Sequence, residues 1–75
     1  MLEYEYLVVA VSEDGTESTS ERAKTLEKAK ELTAEMVSDY SAVEEFFIIR
    51  YGKISTFIVS HGTLSKVKIV WTDKA

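Results

Sequence analysis

The side chains suited to chemistry are few in this sequence and lie far apart. His61 is the single histidine, beside Gly62. As a proton carrier or metal ligand it would need a partner nearby, and no second ligand type clusters with it in sequence. Glu44 and Glu45 are adjacent acids, but neighbours on a strand point to opposite faces and cannot act as a matched acid and base. The three glycines are spread among turn-like stretches and form no phosphate-cradling loop. Serines are plentiful, yet none has a recognisable base or oxyanion arrangement. There is no cysteine, hence no thiolate ligand and no disulfide framework, a composition that fits a cytoplasmic protein. These observations predict a non-enzymatic protein without cofactor or metal.

Charge is more informative. Glu27, Glu31, Glu35 and Asp39 recur every four residues, which on a helix makes one acidic strip. Such a strip is either a solvated helix face or an acidic mimic of nucleic acid that occupies a DNA-binding groove. Arg50, Lys66 and Lys68, close in sequence to Tyr51 and Trp71, suggest a second alternative, a small nucleic-acid-binding protein. Binding of single strands needs bases and aromatics on one surface, and the register derived below separates them. Residues 1–50 hold twelve acids and five bases, and residues 51–75 one acid and four bases, so a net −4 divides into an acidic first part and a basic end. An acidic total argues against non-specific binding to nucleic acid or to an anionic membrane.

The elements that must position these residues follow from periodicity. One helix is predicted from Thr25 to about Tyr40, with Thr25 as N-cap and Glu27 at the positive end of the helix dipole. Leu26, Ala29, Thr33, Met36, Val37 and Tyr40 share its apolar side, with Leu32 at the edge. Residues 2–11 read as a strand whose even positions, Tyr4, Tyr6, Val8 and Ala10, face the helix. Asp14-Gly15 predicts a two-residue hairpin turn with Val11 opposite Ser18, and a polar edge strand over residues 16–23. Three strands follow, Glu44–Tyr51, Ile54–Ser60 and Leu64–Thr72, joined by turns at Gly52-Lys53 and Gly62-Thr63. These turns pair Ile49 with Thr56, Phe47 with Ile58, Ile58 with Val67 and Thr56 with Ile69. One face then collects Phe47, Ile49, Tyr51, Ile54, Thr56, Ile58, Val67, Ile69 and Trp71, and it is expected to meet the helix. The fold class is α+β: one amphipathic helix on one face of a four- or five-stranded, mainly antiparallel sheet, in a single domain over residues 1–75. The N-terminus lacks the basic region of a signal peptide, and the apolar run Leu7–Val11 is far too short to span a bilayer.

The same register sends Phe46, Ile48, Phe57, Val59 and Val70 to the back of the sheet with Leu7, Val9 and Val11, and places Arg50, Lys66 and Lys68 around them. A single helix covers one side only, so this back is expected to be an interaction surface with an apolar centre and a charged rim. A homodimer through it is expected, with Glu3 and Glu5 of one copy reaching Lys66, Lys68 or Arg50 of the other.

The order strand, turn, helix, three-stranded meander, with the helix start Ala23-Lys24-Thr25-Leu26-Glu27-Lys28-Ala29-Lys30, resembles small phage and mobile-element proteins. Its layout is similar to some βαβββ anti-CRISPR proteins, and the Thr-Leu-x-x-Ala-Lys start is the one echo at sequence level. The resemblance implies a compact phage-encoded inhibitor that binds a host protein without enzymatic chemistry. It assigns no individual residue a role.

Overall fold

The computed structural model describes residues 4–39, 43–53, 55–65 and 68–74. The elements are β1 (Glu5–Ser12), β2 (Glu17–Thr19), α1 (Leu26–Asp39), β3 (Val43–Tyr51), β4 (Thr56–Ser65) and β5 (Lys68–Asp73). The strands form one antiparallel sheet in the order β2-β1-β3-β4-β5, and α1 packs on β1 and β3. This is the expected α+β architecture. Among the described residues no helix is long and apolar enough to cross a membrane.

The first hairpin closes on a three-residue loop. Gly15 takes φ +88°, a left-handed conformation that glycine adopts without a Cβ clash. Its N–H donates to Ser12 C=O at 2.9 Å, and Ser12 N–H donates to Thr16 C=O at 2.9 Å. Val11 therefore faces Glu17, one residue off the pairing that a two-residue turn predicts. The Asp14 carboxylate accepts Thr16 N–H at 2.9 Å and the Ser12 hydroxyl at 3.1 Å. Hydrogen bonds from Thr16, then Ser12, hold its carboxyl below the usual range. The predicted edge strand is present as three residues plus a later touch: Tyr6 and Ala23 exchange both backbone hydrogen bonds at 2.8 Å.

The helix starts where its cap is. Thr25 Oγ1 accepts Lys28 N–H at 3.1 Å, which satisfies a donor that the first turn leaves free. Ala29, Thr33 and Met36 are buried, with Leu26, Leu32 and Val37 packed at their sides; Tyr40 lies outside the described residues. The buried Thr33 hydroxyl donates back to Ala29 C=O at 3.0 Å.

Beneath the helix lie Val8 and Ala10 of β1, as expected, but with Phe46 and Ile48 of β3, all four without solvent exposure. The pairs Val8↔Ile48 and Ala10↔Phe46 put even positions of both strands on one side. This overturns the assignment of Phe46 and Ile48 to the back of the sheet. Val59, also assigned there, is buried in the same core. It is the extra residue of a β-bulge, since Ile48 pairs with Ser60 while Ile49 pairs with Ile58. A bulge turns two consecutive side chains to one side, and Val59 and Ser60 are both buried.

Both glycine turns need correction. Between β3 and β4, Tyr51 pairs with Thr56 and Gly52 N–H donates to Ser55 C=O at 2.9 Å, so four residues separate the strands instead of two. A shift of two preserves which residues share a face. Gly62 is no turn at all: it lies inside β4 opposite Trp71, and β4 pairs with β5 as far as Ser65↔Lys68. A Cβ on Gly62 would sit 2.7 and 2.9 Å from Trp71 ring carbons and 3.0 Å from Ile69 Cγ2. The absent side chain lets Trp71 and Ile69 lie over the strand on the helix side. Beside them the Ser60 hydroxyl donates to Asp73, which also meets Lys30 Nζ at 3.0 Å.

Candidate interaction surface

The side of the sheet away from α1 carries the odd positions of β1 and β3. Leu7 faces Ile49 and Val9 faces Phe47, while across β3 Ile49 faces Ile58 and Phe47 faces His61. Val9, Val11, Glu17, Phe47, Ile49 and Ile58 line a shallow groove of about 330 Å³. That volume is at the lower end for a ligand pocket and suits a few protein side chains. Ile58 remains 40% exposed and Val70, nearer the β5 edge, 52%.

His61 is held as part of this wall. Its ring stacks on Phe47 at 4.7 Å between centroids and 9° between planes, and its Nε2 stands 4.0 Å from Glu45 Oε1. His61, beside the turn expected at Gly62-Thr63, is thus a strand residue on the open face. Among the described residues, no three His, Cys, Asp or Glu gather in an arrangement that could hold a metal ion.

The rim is acidic at both ends of the groove. Glu17 and Glu45 pair with Val11 from either side, so two carboxylates flank one apolar side chain. At the far end Glu5 is already engaged: it accepts the Tyr51 hydroxyl at 2.8 Å and meets Arg22 at 3.5 Å. Partial burial, then the bond to Glu5, pushes the Tyr51 hydroxyl above its ordinary value.

The residues expected to form the surface scatter. Phe46, Ile48 and Val59 are core. Val70 is on the open face, and Lys68 starts β5 in an exposed position; Lys66 lies outside the described residues. Phe57 pairs with Arg50 on the helix side, 43% exposed. There the Arg50 guanidinium lies 4.3 Å from the Phe57 ring centroid and 4.4 Å from that of Tyr4. Arg50 and Lys68 thus occupy opposite sides of the sheet. Of the helix acids, Glu27, Glu31 and Glu35 are exposed. Lys28 stands 3.7 Å from Glu31, which partly neutralises the strip. Asp39 closes α1, and its side chain lies outside the description.

Phe47, Ile49, Ile58, Glu17 and Glu45 are the surface residues that the sequence reading missed. A usable signal was present in the small residues. Ala10, Ser60 and Gly62 all fall on the helix side, with Ala23 and Ala29 packed there too, and none falls among the residues lining the groove. Compared with known protein families, curated proteins and solved structures, the chain matches none of them.

Proposed function

We propose that this protein is a non-enzymatic interaction module that binds another protein through the open face of its sheet. It would act in the cytoplasm, as a phage-encoded inhibitor does when it occupies a site on a host protein. The observation that supports this reading is the apolar groove between Val9, Phe47, Ile49 and Ile58, on a face that α1 leaves uncovered. Contiguous apolar surface of this kind is seldom left facing water without a use.

The acidic-mimic reading has less support, because Lys28 pairs with Glu31 within the strip. The test is affinity capture from the source cell with the native chain, Ile58→Lys, and Glu27, Glu31 and Glu35 together changed to Gln. A partner retained by the Gln variant, lost by Ile58→Lys and little affected by salt supports the open face. A partner lost with the helix carboxylates and released steeply by salt supports the mimic and sinks this proposal.

A further inference from the structure

We infer that the occupant of the open face is a basic amphipathic helix of the partner protein, an inference that rests on the docking face proposed above. Three observations point to that chemistry. The groove lies on β1 and β3, the two strands that carry α1 on their other side, so a second helix there would complete a helix–sheet–helix sandwich. The carboxylates at the groove's open end, Glu17 and Glu45, flank Val11 at successive strand spacings, roughly 10 Å across. A lysine or arginine stem can lie on Val11 with its cation between the two acids, while a bulky apolar side chain of the same helix enters among Val9, Phe47, Ile49 and Ile58. Finally, of the described bases Arg50 is on the opposite side, Arg22 is taken by Glu5, and Lys68 stands on the edge strand β5, two strands away from Phe47 and Ile49.

A second copy of this chain fits less well. Of the bases that were to meet Glu5 across a two-fold axis, Arg50 is turned away and stacked on Phe57. Self-pairing would also bring acidic rims toward each other at part of the interface.

The probe is a fluorescein-labelled leucine–lysine peptide of about 14 residues with helical spacing, roughly 20 Å long. Its control carries glutamate in place of every lysine. The expected result is binding of the lysine peptide and none of the glutamate peptide. Glu17→Lys with Glu45→Lys should weaken that binding by about tenfold or more, and Ile58→Lys should abolish it. Changing Glu27, Glu31 and Glu35 to Gln should have little effect. Circular dichroism confirms that each variant is folded. Equal binding of both peptides, lost in Ile58→Lys, overturns the basic partner and leaves the docking face standing. Binding insensitive to Ile58→Lys, or no binding, overturns both. So does loss of binding in the Gln variant alone, which moves the site to α1. A dimer by light scattering that Ile58→Lys splits overturns the foreign helix in favour of a second copy.

Discussion

The two faces of the sheet are built from nearly the same residues and meet opposite fates. Val8, Ala10, Phe46 and Ile48 are sealed under α1, while Val9, Val11, Phe47 and Ile49, each the next residue along, line the open groove. Hydrophobicity does not separate the two sets. What separates them is room. On the covered side Ala10 keeps β1 low and Ala29 brings the helix close, while Gly62 lets Trp71 and Ile69 lie over β4. The open side carries Leu7, Val9, Phe47, Ile49 and Ile58, whose side chains hold an approaching backbone farther off and leave a shallow groove that takes side chains. A helix settles where it can come near enough for dispersion contacts on all sides.

The sharpest way to break this comparison is to truncate one phenylalanine on each face. Phe46→Ala should cost about 3–5 kcal/mol in urea unfolding. For 75 residues that is near half of a stability that runs at roughly 0.05–0.15 kcal/mol per residue. Phe47→Ala should cost under about 1.5 kcal/mol, because its ring is partly in water already. Equal losses would mean that the faces do not differ as described.

Filling the hollow is the converse experiment. Gly62→Ala places a methyl group under Trp71 and Ile69 and should cost about 1–3 kcal/mol by overpacking, with a change in Trp71 fluorescence. A neutral result would show that the ring moves aside freely. Next comes the helix that defines the covered side: Thr25→Ala removes the cap on Lys28 N–H and should cost about 1 kcal/mol. On the open face Ile58→Lys should change stability by no more than ~0.5 kcal/mol, whatever it does to binding.

The smallest effect concerns acid. The Ser60 hydroxyl first, then Lys30, hold the Asp73 carboxyl below its ordinary 3.8. Its proton therefore binds more readily to the unfolded chain, and its contribution is present in full above the ordinary value and fades as pH falls through the lower folded one. Native and Asp73→Asn proteins should differ slightly in Tm at neutral pH and converge near pH ~2. A gap that stays constant over that range would break the assignment.

Much of this arrangement was legible in residue patterns. The helix with its Thr25 cap, the even face of β1, and the sharing of one face by Phe47, Ile49 and Ile58 all follow from spacing alone. Which face the helix would take did not, because Phe46-Phe47-Ile48-Ile49 is apolar on both sides and alternation is then silent. Gly62-Thr63 matches a turn by type. Only the position of Trp71 in space shows that this glycine makes room for a ring. The interaction surface was misplaced for the same reason, with the wrong half of β3 turned outward.

The bulge at Val59 has a consequence for how this chain can change its length. Ser60↔Ile48 and Ile58↔Ile49 already bracket the extra residue, so deleting the Val59 codon would leave every other rung of the ladder where it is. Deleting Phe57 or His61 would instead push a neighbouring stretch one step along and turn its side chains over. Within β4 the extra residue is accommodated at a single point, and the register shift does not spread along the ladder. That point is where one residue could be lost with the β3 pairing kept, at the cost of a core side chain and of the bond from Lys74 N–H to Val59 C=O.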